Sequence, residues 1–112
     1  MRNVFKWIVV FGWAYLIFYL TSIPNFKVSD DSLMSLVISS AGHFFFFGVQ
    51  AALLYWALPG QIIASLSLTS LYGIFDELHQ ISIPGRSADP IDWMLDTLGA
   101  LVFIQLMRKY SQ

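Results

Sequence analysis

Polar residues interrupt this chain at few places, and where they do they arrive in clusters. No formally charged residue occurs from Trp7 to Pro24, and none from Ser32 to Phe75. The second stretch is too long for a single membrane crossing, and Pro59-Gly60, a turn signal, divides it into runs from Leu33 to Leu58 and from Gln61 to Phe75. A last run covers Trp93 to Met107 and is broken only by Asp96. A spanning helix needs about 17–25 mostly apolar residues. The first two runs meet that length. The third reaches it by continuing through Asp76 to Gln80, the fourth by starting near Pro90. The pattern predicts an all-α integral membrane protein. It is a bundle of four transmembrane helices, at about 5–23, 34–58, 61–80 and 90–108, in a single domain over residues 1–112.

Composition agrees with lipid as the solvent. Of 112 residues, 57% are hydrophobic and 12% charged, against about 25% charged in an average soluble domain. A small water-soluble fold must cover a large surface with polar side chains, and so few charges cannot do it. Six Lys and Arg are scattered and the net charge is −1, so nucleic acid is excluded as a partner. Cysteine is absent, which removes disulfides and thiolate metal sites.

Basic residues near the span ends set the expected direction. Arg2 and Lys6 precede the first span, and Arg108 and Lys109 follow the last. Lys27 and Arg86 fall between spans one and two and between three and four. Four basic residues against two place both termini in the cytoplasm and the segments near Lys27–Asp31 and His79–Asp89 outside. Trp7, Trp13, Tyr15, Trp56, Trp93 and Tyr110 include candidates for interfacial anchors, with Trp13 deep for that role. A cleaved signal peptide is the rival reading of the first run. No small-x-small cleavage site closes that run, and Trp13, Tyr15 and Tyr19 make it bulky.

Five of the seven acidic residues lie between positions 76 and 96: Asp76, Glu77, Asp89, Asp92 and Asp96. Ionisable groups at membrane depth cost at least about 2.5–3.5 kcal/mol each, and they turn towards the bundle interior. Asp89-Pro90 reads as an N-cap with proline at the first helical position. Asp92 would then be the third helical residue, where a carboxylate favours the helix N-terminus. Asp96 is beyond capping reach but shares a face with Asp92. Asp76 and Glu77 oppose the dipole at the end of span three and require a partner: a cation, Arg86 or a proton. Gln80 stands one turn beyond Asp76. His79 reads as an exposed histidine at the loop edge. Ser39, His43 and Gln50 form a stripe in span two, and Ser65, Thr69 and Gly73 form one in span three. Small residues at this spacing let helices approach, so spans two and three are expected to pack on these faces, bringing His43 towards the acids. Phe44 to Phe47 cover every side of a helix and read as lipid contact and packing. Pro84-Gly85 suits a type II bend that presents Arg86 back to the bundle, where it could clamp the loop to a carboxylate or bind an anionic group.

Asp76-Glu77-x-x-Gln80, Pro84-Gly85-Arg86, Asp92, Gly99 and the earlier His43-Phe44 pair together resemble the VanZ-like membrane family over about half the chain. Asp96 departs from the asparagine frequent there, and an acid at that position changes which cation or donor the site would accept. The resemblance implies a multi-pass protein of the bacterial plasma membrane. It also implies kinship with a member associated with low-level teicoplanin resistance.

Three functions compete for the cluster of His43, Asp76, Glu77, Gln80, Arg86, Asp92 and Asp96. The first is a non-enzymatic envelope protein that binds a lipid headgroup, cell-wall precursor or glycopeptide, with Arg86 on the anionic part and the carboxylates on amines or hydroxyls. The second is a metal-assisted hydrolase or transferase acting on a phosphorylated lipid or precursor, because imidazole and carboxylates suit a divalent cation; no HExxH motif supports it. The third, a proton or cation relay, is opposed by the scarcity of ionisable residues in the inner halves of the spans. Membrane lipids are the expected partners, and homo-oligomerisation is left open as a way to shield polar faces.

Overall fold

The computed structural model describes residues 2–22, 32–84 and 89–110. They form α1 (Arg2–Thr21), α2 (Ser32–Ala57), α3 (Ile62–Ile81) and α4 (Pro90–Tyr110). α1, α2 and α4 are each long and apolar enough to cross a membrane. α3 has the same length as α1, 20 residues, but its last turns carry Asp76, Glu77, His79 and Gln80.

The helix ends follow from local chemistry. α1 stops where hydroxyls compete for carbonyls: Ser22 Oγ donates to the Phe18 carbonyl at 2.7 Å. α2 stops before Pro59, and Gly60 supplies the left-handed turn residue at φ +78°. Gln61 N–H then closes the turn on the Leu58 carbonyl at 3.0 Å. α3 ends in Ser82, whose hydroxyl donates to the His79 carbonyl at 2.7 Å. α4 begins with Asp89 as N-cap, its Oδ1 accepting the Ile91 N–H at 3.0 Å, with Pro90 as the first helical residue. Arg108 and Lys109 sit in the last turn of α4, where cations complement the helix dipole.

The helices run alternately up and down. Lys6 on α1 donates to the Trp56 carbonyl at the end of α2 at 3.3 Å, and its ammonium lies 5.3 Å from the Trp56 ring centroid. At the opposite end Thr21 meets Asp76, and Glu77 meets Asp89. Among the described residues, the acids and both histidines therefore share one half of the bundle, and Lys6, Arg108 and Lys109 share the other.

Packing differs from the sequence expectation in one respect. α2 packs most extensively against α4 and also touches α3, while Gly73 in the small-residue stripe of α3 meets α4 rather than α2. A Cβ on Gly73 would stand 3.3 Å from Trp93 Cδ1 and 3.0 Å from Asp96 Oδ2, both on α4. The α2–α4 crossing is closest at Gly99, where a Cβ would lie 2.2 Å from the Phe44 carbonyl oxygen. Periodicity marks a face as fit for close approach without marking its partner. Ala51, Ala100 and Ile104 form the apolar core of this crossing.

α3 is built inside out relative to a helix in water. Its buried residues are Ser65, Thr69, Gly73, Asp76, Glu77 and Gln80, whereas Ile63, Leu71, Phe75, Leu78 and Ile81 face outward. Ser65 and Thr69 turn their hydroxyls back to the carbonyls one turn earlier, at 2.8 and 2.9 Å, which satisfies them without water. Two of the tryptophans also point inward: Trp13, read as deep for an interfacial anchor, and Trp93, a candidate for that role. Trp13 Nε1 donates to the Phe46 carbonyl at 2.8 Å, and Trp93 Nε1 lies 3.1 Å from both the carbonyl and the hydroxyl of Ser70. An indole N–H turned towards a neighbouring helix needs an acceptor there.

Candidate functional site

The site is assembled from three helices at the end of the bundle where α3 finishes and α4 starts. From α2, His43 Nδ1 stands 2.8 Å from Asp96 Oδ1, and its Nε2 is 3.6 Å from Asp92 Oδ2. The four-residue spacing of Asp92 and Asp96 puts both on one face of α4, so one imidazole is flanked by two carboxylates. The shorter contact is a hydrogen bond in which Nδ1–H donates to the carboxylate. The ring also stacks parallel to Phe47, with centroids 6.2 Å apart, which fixes its plane.

From α3, Glu77 reaches the start of α4. Its Oε2 accepts the backbone N–H of Asp89 at 2.8 Å. That N–H belongs to the N-cap of α4, so Glu77 stands where the helix dipole is positive. The unfavourable position of Glu77 at the end of its own helix is thereby offset by a favourable one at the start of the next. The other oxygen, Oε1, is buried and has no hydrogen-bond partner among the described residues, and the same holds for Asp96 Oδ2 and Gln50 Oε1.

Asp76, adjacent in sequence, faces α1. Its Oδ1 accepts from the Thr21 hydroxyl at 2.6 Å and its Oδ2 from Gln80 Nε2 at 3.3 Å. Asp76 is fully buried, and each of its oxygens has a donor. The candidate residues thus divide into two nodes. His43, Glu77, Asp92 and Asp96 form one; Asp76 and Gln80 join Thr21 in the other. Arg86 lies outside the described residues.

His79, read as exposed at the loop edge, is half-buried. Its ring stacks on Phe18 with centroids 4.3 Å apart, and its Nε2 is 2.8 Å from Ser22 Oγ. Ser39, placed in the stripe with His43, is exposed. Thr21 and Ser22 are the partners that sequence reasoning missed. Their one visible signal is position: they are the first hydroxyls after the apolar run of α1, at the same end as Asp76. The Ser70–Thr97 hydroxyl pair, 2.9 Å apart between α3 and α4, had no signal beyond its residue types.

Chemically, the first node gathers acceptors. One imidazole and three carboxylates can receive amine or hydroxyl donors, or supply nitrogen and oxygen ligands to a cation. One potential ligand atom from each of His43, Glu77 and Asp96 lies within 4.8 Å of the others. A family model described as VanZ/LLP1 matches residues 4–109, nearly the whole chain. No curated protein and no solved structure matches it.

Proposed function

Because the chain belongs to the VanZ/LLP1 family, we propose that it is a multi-pass protein of the bacterial plasma membrane that holds a polar headgroup at its outer face. In this reading all four helices cross the membrane and both termini are cytoplasmic. The inside-out character of α3 supports its crossing: a helix that buries serine, threonine and acids while exposing leucine and isoleucine is solvated by lipid. Lys6, Arg108 and Lys109 at one end favour that end as cytoplasmic.

The observation that carries the binding role is the meeting of His43, Glu77, Asp92 and Asp96 from three helices at the opposite end. Such a node costs insertion energy that packing alone does not require. Its acceptors suit a headgroup carrying amine or hydroxyl donors, on an envelope lipid or a lipid-linked cell-wall precursor, with Arg86 available to a phosphate. A glycopeptide offers similar donors and is the alternative occupant.

Two experiments test this reading. The chain has no native cysteine, so single cysteines at Ser82 and Gln61, both exposed, report topology directly. A membrane-impermeant maleimide should label the Ser82 position in intact spheroplasts and the Gln61 position only after lysis. For binding, delipidated protein titrated with phosphatidylethanolamine and followed by native mass spectrometry should retain it over phosphatidylcholine, and Asp92→Ala should remove the preference. Equal retention of both lipids, displaced by teicoplanin, would favour the glycopeptide; equal retention without displacement would end the binding role.

A further inference from the structure

His43, Glu77 and Asp96 arrive from α2, α3 and α4, and three of their donor atoms lie within 4.8 Å of one another. Ligands about 2.0–2.2 Å from a first-row ion stand somewhat closer together than that, so small rotations of the side chains would close the set. Two further features set this trio apart from acids held by their own hydrogen bonds. Glu77 Oε1 and Asp96 Oδ2 are buried acceptors that receive no donor among the described residues, on residues 6% and 0% exposed. A buried polar atom left in this state costs about 1–3 kcal/mol, and more when charged. Asp76 next door shows the contrast, since a donor reaches each of its oxygens.

The second feature is where the free oxygen points. A Cβ on Gly73 would stand 3.0 Å from Asp96 Oδ2, so that oxygen faces α3. Gly73 is one turn before Glu77, on the same face of α3. The glycine leaves open the space into which Asp96 Oδ2 projects.

We propose that His43, Glu77 and Asp96 bind one first-row divalent transition ion. Two carboxylates balance its charge, and its ligand shell occupies both orphaned oxygens. The imidazole favours ions such as Zn²⁺ or Mn²⁺ over Mg²⁺ and Ca²⁺, which prefer all-oxygen sites. The ion would take the Nδ1 side of the His43 ring, where Asp96 stands at 2.8 Å, in place of the proton between them, and Nε2 then faces Asp92, 3.6 Å away, as its carboxylate partner. That arrangement sets the tautomer and orientation of metal-binding histidines. The ion deepens the headgroup reading at the same site: bare carboxylates repel a phosphate, whereas an ion held by them presents it with a positive centre. The metal site depends only on the convergence of the three side chains, not on headgroup binding.

The test uses full-length protein in detergent, without a polyhistidine tag, loaded with Mn²⁺ or Zn²⁺ and dialysed. Metal analysis should find one ion per chain, and the melting temperature should rise with the ion. Glu77→Gln and Asp96→Asn should weaken binding by about tenfold or more, and His79→Gln should bind like the wild type. If the site variants do not accumulate, pulsed electron paramagnetic resonance of Mn²⁺ in His79→Gln protein decides the matter, because His43 is then the sole histidine and imidazole nitrogen coupling marks it as a ligand. No retained ion, unchanged affinity in Glu77→Gln, or bound Mn²⁺ without nitrogen coupling overturns the proposal. Ion binding without lipid selectivity upholds this site and removes the headgroup function; lipid selectivity in protein that retains no ion does the reverse.

Discussion

Gly99→Ala tests the closest approach in the bundle. The added Cβ would meet the Phe44 carbonyl oxygen at 2.2 Å, the carbonyl carbon at 3.0 Å and Cα at 3.1 Å. All three atoms are backbone, so no rotamer change relieves the clash. Non-bonded heavy atoms settle about 3.5–4.0 Å apart, so α2 and α4 must separate locally by about 1 Å. Overpacking of this kind costs about 1–3 kcal/mol, and here it strains the most extensive helix pair. Asp96 lies one turn before Gly99 on α4, and His43 is the residue before Phe44 on α2. The same separation therefore stretches the 2.8 Å hydrogen bond of the node. Unfolding from mild detergent into sodium dodecyl sulfate, followed by tryptophan fluorescence, measures the change. Gly12→Ala is the internal standard: it is also in a helix, and nothing lies within 4 Å of its new Cβ, so it should be neutral or gain up to about 1 kcal/mol from helix propensity. Gly99→Ala unfolding no more readily than Gly12→Ala would refute the close crossing.

The same assay reads two further substitutions. Thr21→Val removes the hydroxyl donor of buried Asp76 and should cost about 1–3 kcal/mol; Thr21→Ser keeps the donor and should restore most of the loss. Asp89→Ala deletes the side-chain cap of α4 and should cost about 1 kcal/mol, whereas Asp89→Ser should be close to neutral. A loss in Asp89→Ser as large as in Asp89→Ala would show that the residue acts through its charge rather than its cap.

The elements of this fold were largely legible because lipid makes few demands and states them plainly. Long runs without charge announce α1 and α2, a run broken only by Asp96 announces α4, Pro59-Gly60 announces the turn, and Asp89-Pro90 announces a helix start. The same spacing rules placed Gln80 on the face of Asp76, and Asp92 with Asp96. Partner choice was not legible. The Ser65–Thr69–Gly73 stripe specifies close approach, but only the structure shows that Gly73 in it meets α4. The division of Asp76 from Glu77 into different nodes follows from the turn of roughly 100° between consecutive helical residues, which sends neighbours to different helices. Thr21 signalled its role by position alone, and a threonine at the end of an apolar run is as often merely solvated.

The order in which the helices are made gives the covering of α3 by α4 a consequence for biogenesis. When α3 leaves the ribosome α1 can already supply Thr21 to Asp76, but the part of its inward face that meets α4 has no cover, and Glu77 lacks the N–H that α4 later provides. His43 waits for Asp96 in the same way, on a helix synthesised earlier still. The final segment is thus the keystone, and a chain cut short before Pro90 presents lipid with exposed acid and imidazole.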